Sequence, residues 1–362
     1  MIFLLSLLLT IVFLTIAYFI LSSSEDEKEN INVKFEVKKD NNEYLNLIKN
    51  WLDNLDIKVE EFKKIKSEIH KKIIWLDNLI NSILVTLLSN WHLLVEWVPG
   101  LAKTKTIETL AKVIDLDFKR IQFTPDMLPA DIIWTQIYNQ KINDFEIKLW
   151  PIFTNILLAD EINRTTPKVQ SALLEWMQEK KVSIGWKDFT LPNPFFVLAT
   201  QNPIEQEWTY PLPEAQIDRF LFKVIVDYPK SEEEKKILEV IENEKNIDLE
   251  RVLTKEEILK VQTDVEKVYL SDKLKDFIVK IIEETRKFDP RIVYWASPRW
   301  SIGLMIASKA VAFLKWRDYV ELSDIFQVLL NVLRHRVILS YDAKIDNVKA
   351  DDIIIEKILN VI

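Results

Sequence analysis

Lys103 and Thr104 stand between an apolar run, Leu93-Leu-Val-Glu96, and a helical stretch from Thr106 to Ile114; Trp97-Val98-Pro99-Gly100-Leu101-Ala102 form the connection. A loop in that place turns backbone N–H groups and a helix N-terminus toward phosphate, sets a lysine on the β and γ phosphates and a hydroxyl on magnesium. The G-x-x-x-x-G-K-[ST] pattern needs glycine at 97 and 102, where this chain has Trp97 and Ala102. Taken alone, the fragment is equally an ordinary strand-turn-helix with an exposed lysine.

A second apolar run, Ile156-Leu-Leu-Ala159, ends in Asp160 and Glu161. One carboxylate there suits magnesium through its water shell and the next suits polarising an attacking water, a division of labour that phosphoryl transfer uses. A third run, Phe195 to Ala199, ends in Thr200-Gln201-Asn202 and offers an amide beside those acids. Asp218-Arg219-Phe220 and Ser297-Pro298-Arg299 supply two arginines able to meet charge on a γ-phosphate. Either arginine by itself reads as a surface ion pair.

The elements that must position these residues follow from the patterning. Short apolar runs alternate with helical stretches from about residue 58, where Val59, Phe62, Ile65 and Ile69 keep helical spacing. That alternation predicts an α/β domain with a largely parallel sheet. After Tyr228-Pro229 the chain turns to charged amphipathic helices, so a core at 58–228 and an all-α domain at 229–362 are expected. Residues 23–57 read as a polar linker. Residues 1–22 carry an uncharged apolar run long enough to span a bilayer as one helix. Lysines are absent before it while Lys28, Lys34, Lys38 and Lys39 follow, which puts the body in the cytoplasm under an inner-membrane anchor. A soluble cytoplasmic protein is the alternative.

Composition narrows the chemistry. With no cysteine, thiolate nucleophiles, disulfides and cysteine metal sites are out, and a net charge of -8 argues against a nucleic-acid partner. His70, His92 and His335 lack metal-ligand spacing and read as packed or surface residues. Arg334-His-Arg336 is basic but too short for a nucleic-acid footprint.

From about residue 58 onward the chain resembles the MoxR family of AAA+ ATPases. The resemblance rests on Pro151 through Arg164, Ala199-Thr-Gln-Asn-Pro-Ile-Glu-Gln-Glu207, Tyr210 through Phe220, Ala296-Ser-Pro-Arg299 and Leu333-Arg-His-Arg336. It implies an AAA+ P-loop core, a parallel sheet sandwiched by helices, followed by a small all-α lid. It further implies ATP and Mg2+ as cofactors, Lys103 and Thr104 as the Walker A pair, and Asp160 and Glu161 as Walker B. Asn202 becomes sensor 1, Arg299 sensor 2 in the lid, and Arg219 an arginine finger offered to a neighbouring subunit of a ring, usually a hexamer. Lys181 to Leu191 fits the β-hairpin before sensor 1, and 123–149 fits the family's helix-2 insert. Chaperone-like remodelling of client proteins, often with von Willebrand factor A domain proteins, is the implied function. A magnesium-chelatase-like motor subunit and a nucleotide-binding membrane scaffold without turnover are the alternatives.

One departure from that family is systematic. The chain has 3 glycines and 12 tryptophans, where average usage would give roughly 25 glycines. Trp75, Trp91, Trp97, Trp134, Trp150, Trp186, Trp208, Trp295 and Trp316 fall where relatives typically carry glycine, and Trp300 where a small residue is usual; Trp51 and Trp176 match no such position. Each would put the largest side chain where close backbone approach or positive φ is needed. The pattern predicts a gene whose UGA codons mean glycine, read with a table in which UGA means tryptophan. Genuine tryptophans would instead crowd the phosphate loop and favour the scaffold.

Overall fold

A computed structural model describes residues 55–97, 102–139, 144–149, 151–184, 187–202, 209–243, 247–294 and 297–361. The membrane span expected within 1–22 and most of the linker lie outside the described residues. Among the described residues no helix is long and apolar enough to cross a membrane. Leu55 and Ile57 are already buried, and the Lys58 and Val59 N–H groups donate to the Leu314 carbonyl.

The chain enters through α1 (Glu60–His70) and α2 (Asp77–Leu88), then runs into β1 (His92–Trp97), α3 (Lys103–Val113) and β2 (Phe118–Gln122). A short α4 (Pro129–Ile133) and a hairpin, β3 (Trp134–Asn139) with β4 (Asp144–Leu149), occupy the expected insert. β5 (Ile156–Asp160), α5 (Pro167–Glu179) and the antiparallel pair β6 (Lys181–Ile184) and β7 (Lys187–Thr190) follow. This pair is the hairpin anticipated before sensor 1; its tip, with Trp186, lies outside the described residues. β8 (Phe196–Gln201), α6 (Glu214–Ile217) and β9 (Phe220–Val226) complete the core.

Five of these strands form one parallel sheet in the order β2-β5-β8-β1-β9. β5 is buried at every position and β8 at all but the last, because helices cover the faces; this is why both read as unbroken apolar runs. β2 is the edge strand and reads differently. Of Phe118-Lys-Arg-Ile-Gln122 only Ile121 is buried, so the strand carries charge and escapes a search for apolar runs. β9 was not anticipated either, because Lys223 interrupts its apolar run; that lysine pairs with Glu96 at 2.6 Å.

The second part is helical: α7 (Ser231–Asn243), α8 (Lys255–Lys267), α9 (Asp272–Arg286), α10 (Arg299–Leu314), α11 (Leu322–Leu333), α12 (Tyr341–Ile345) and α13 (Ala350–Leu359), with a small strand pair β10 (Ile292–Tyr294) and β11 (Ile338–Leu339). α8 is started by a capping box in which Thr254 and Glu257 satisfy each other's backbone N–H groups. α10 and α11 pack along each other, and Leu304, Ala307, Val311, Ile325 and Leu329 on them are fully buried.

His92 and His335 are buried, and His70 is half-buried beside Asp77. His92 opens β1; its Nδ1 accepts from the Val197 N–H and its Nε2 meets the Met177 carbonyl. Burial pushes this imidazole down to about 4, so it is neutral in the folded protein near pH 7.

The end of α10 bears on the tryptophans. The Trp316 N–H donates to the Phe313 carbonyl and the Arg317 N–H to the Ala312 carbonyl, the paired bonds of a Schellman stop. Its hinge residue sits at φ 60 and is 74% exposed, and that residue is Trp316. A left-handed backbone costs a residue with a Cβ about 1–2 kcal/mol, and an exposed indole returns little of it. Trp316→Gly is therefore expected to raise stability by about 1 kcal/mol, read as an increased denaturant midpoint at unchanged slope; a lowered midpoint would contradict the strain argument.

Candidate functional site

Parallel strands leave their carboxyl ends on one edge, and the order β5-β8-β1 makes neighbours of the residues that follow each. Ala102, just before α3, has φ 49, so the backbone turns left-handed at the second consensus-glycine position and delivers Lys103 as the first helical residue. The Lys103 side chain is 12% exposed and its Nζ lies 3.5 Å from Asp160 Oδ1. Thr104 is next in the first turn of α3. Val98, Pro99, Gly100 and Leu101 lie outside the described residues. Trp97 ends β1 fully buried, and its indole nitrogen has no hydrogen-bond partner among the described residues.

Asp160 is the most heavily engaged group. Oδ1 accepts from the Thr200 hydroxyl at 2.6 Å, and Oδ2 accepts from Arg120 Nε at 3.2 Å and Nη2 at 2.7 Å. Burial raises this carboxyl, but the Thr200 and Arg120 hydrogen bonds and the charges of Lys103 and Arg120 outweigh it and hold it below the usual carboxylate range. Thr200 also accepts from the Glu161 N–H at 3.0 Å, so one hydroxyl fixes both acids.

Glu161 itself adopts φ 58, an uncommon conformation for a residue with a side chain and one that concentrates at functional sites. Its Oε2 accepts from Gln122 Nε2 at 2.6 Å and faces Arg164 Nε at 3.1 Å. Gln122 Oε1 in turn accepts from Arg120 Nη2 at 2.6 Å. Arg120 and Gln122 share one face of β2, two residues apart, and bind one acid each. Sequence reasoning missed both; their signal was the polar alternation of an edge strand next to Asp160.

Asn202 follows β8 directly and is 4% exposed. The two arginines stand elsewhere. Arg219 turns inward, with Nη1 donating to the Leu174 carbonyl at 2.6 Å and Nε buried without a partner among the described residues. Arg299 begins α10 and is exposed.

No group of three or more histidine or acidic residues able to hold a metal occurs among the described residues. The hydroxyl of Thr104 and the carboxylate of Asp160 are hard oxygen donors, too few for a resident metal ion. They fit magnesium, which is commonly held by one or two protein oxygens together with substrate phosphates.

Arg120→Gln removes two of the hydrogen bonds to Asp160. Because Arg120 is 45% exposed, water screens the pair and the loss is expected to be about 1 kcal/mol at neutral pH, measured by denaturation. The folded carboxyl lies below its unfolded value, so its contribution is present above the usual carboxylate range and lost as pH falls through the folded value. The deficit of the variant should therefore close on acidification; a deficit independent of pH would mean that Arg120 acts through packing alone.

Comparison with known proteins agrees with this geometry. Residues 92–222 match the model of an ATPase family associated with various cellular activities (AAA), and residues 287–358 match an AAA lid domain. The chaperone MoxR1 of Mycobacterium tuberculosis is 43% identical over 318 residues, covering 86% of this chain and 84% of that protein. The uncharacterized protein YeaC of Bacillus subtilis is 48% identical over 274 residues, 75% of this chain and 85% of its own. A crystal structure of a candidate ATPase from Cytophaga hutchinsonii superposes with a TM-score of 0.79 at 44% identity, covering 84% of this chain and 94% of that one. These relatives favour the MoxR reading over the magnesium-chelatase-like one. Sheet order, site and lid together place this ATP-hydrolysing chain in the MoxR family of AAA+ ATPases.

Proposed function

We propose that this ATPase turns over the magnesium complex of ATP within a homo-oligomeric ring, most simply a hexamer, and spends the energy on remodelling or maturing client proteins. The observation that carries the proposal is the convergence of Lys103, Asp160, Glu161 and Thr200 on one sheet edge. Lys103 and the loop from Trp97 to Ala102 would hold the phosphates, and Thr104 and Asp160 the metal. Magnesium, when bound, supplies charge neutralisation at the phosphates. Glu161 would accept the proton of the attacking water, Asn202 would orient that water, and Arg299 would report from the lid. Arg219 would serve the site of the next subunit, which gives a ring its purpose.

Chaperone action is taken from the relative bearing that name, and clients with von Willebrand factor A domains from the family resemblance. The apolar run within 1–22 supports an inner-membrane anchor with the ATPase in the cytoplasm. Carbonate extraction of membranes tests it: a wholly soluble pool would remove the anchor.

The chain made in the cell, on the same reading, carries glycine at the nine family positions. The left-handed backbone at Trp316 and the Trp97 indole, without a partner among the described residues, support this. Peptide masses of the native protein decide it: glycine masses at 97 and 316 support recoding, and tryptophan masses overturn it.

For the motor itself, Glu161→Gln is expected to retain nucleotide binding and lose about 10²–10⁴-fold in turnover, while Lys103→Ala loses binding. Arg219→Ala should cost about 10³-fold or more with binding intact. Turnover that survives Glu161→Gln would remove Glu161 from the mechanism.

A further inference from the structure

The basic run Leu333-Arg-His-Arg336, which the reading of the site leaves without a role, is spent on joining the lid to the core. It leaves the end of α11 and meets the start of β9. Arg336 is 3% exposed; its Nη2 donates to the Phe220 carbonyl at 2.6 Å and its Nη1 to the Val332 carbonyl at 3.0 Å. His335 Nε2 meets the same Phe220 carbonyl at 3.2 Å, and Arg334 donates to the Lys223 carbonyl. Burial lowers the Arg336 guanidinium to about 10, still charged at neutral pH, and Asp218 opposes that shift.

Asp218 is the point where two site arginines come under one control. Its Oδ1 lies 3.3 Å from Arg336 Nε, and its Oδ2 accepts from the Ser297 hydroxyl at 3.3 Å. Ser297 is two residues before Arg299, and its hydroxyl also accepts from the Trp300 indole N–H. The Trp300 ring packs under the Arg336 guanidinium, 4.4 Å from Cζ to the ring centre. On its other side Asp218 precedes Arg219 directly. One carboxylate is thus bonded to the segment that carries Arg299 and covalently joined to Arg219.

We propose that Asp218 and Arg336 are positioning residues that make Arg219 and Arg299 move as one body. The nucleotide met by a subunit's own lid then sets whether that subunit presents its finger to the neighbouring site. The proposal rests on the assignment of Arg219 as a finger acting in trans. The inward contact of Arg219 with the Leu174 carbonyl is the withdrawn position of that finger, and a lid shift transmitted through Arg336 and Asp218 draws it off Leu174.

Mixed assemblies of the full chain test this. Glu161→Gln subunits keep a finger without turnover, and Arg219→Ala subunits keep a site without a finger. Mixing them should restore hydrolysis, and no recovery would overturn the trans assignment and the proposal with it. With recovery established, Asp218→Asn is placed in the finger-donating subunit alone. Recovery should fall at least tenfold while that subunit still folds and binds a fluorescent ATP analogue. The same substitution in the accepting subunit alone should cost less, since there it disturbs only that subunit's own Arg299. Unchanged recovery, or equal losses in both placements, would overturn the coupling. Should Asp218→Asn not fold, Arg336→Lys keeps the charge but loses the planar fork that spans Asp218 and the Phe220 carbonyl, and the same donor-only loss is expected. An Arg336→Lys donor that rescues fully would likewise overturn the coupling.

Discussion

A buried carboxylate governs this molecule. Asp160 ends a strand whose every residue is buried, and a charge there is tolerable only when its lone pairs are filled. Thr200 from β8, Arg120 from β2 and Lys103 from α3 fill them, so this one charge ties three elements to the end of β5. The cost of leaving Asp160 unpaired is the reason the strand ends register as they do at this edge. A neutral side chain at 160 would leave the sheet intact and take away the reason for Arg120 to be there.

That constraint makes the ligand-free site self-satisfied. Cationic and amide groups stand on both acids, with Arg120 and Lys103 at Asp160 and Gln122 and Arg164 at Glu161. On the proposed function, a metal–phosphate complex entering the site would meet carboxylates already compensated, and its binding energy would include the rearrangement of those partners. Lys103 is the easiest to release, because its contact at 3.5 Å is the longest and phosphate offers it more charge. Arg120 is the hardest, since it binds through two nitrogens and is braced by Gln122.

Legibility in the sequence followed burial. β1, β5 and β8 were readable because both of their faces are covered, which forces unbroken apolar runs; β2 was not, because one covered position in five leaves little pattern to see. Asp160, Glu161 and Asn202 were readable because they close those apolar runs. Arg120 and Gln122 lay in the unreadable strand and were lost with it. Arg336 was visible as a basic residue, but its meaning depends on Asp218, 118 residues earlier, and no local spacing encodes a contact across that separation. Family resemblance supplied roles for Arg219 and Arg299 and was silent on what ties them together.

The tryptophans separate two kinds of physical demand. At Trp97 the demand is on the side chain: the position is fully buried, and an indole N–H without an acceptor among the described residues pays a desolvation penalty that glycine would not incur. At Trp316 the demand is on the backbone alone, since the side chain is exposed and touches little, yet the helix stop still requires a left-handed residue. Trp176, buried in the last turn of α5, and Trp300, stacked under Arg336, meet neither objection; both are packed as large aromatic side chains ordinarily are. A surface adapted for aromatic contact would favour exposed positions indifferent to φ. The left-handed backbone at Trp316 and the burial of Trp97 support the proposed reading as misread glycine, whereas Trp75, Trp91 and Trp134 do not adopt positive φ.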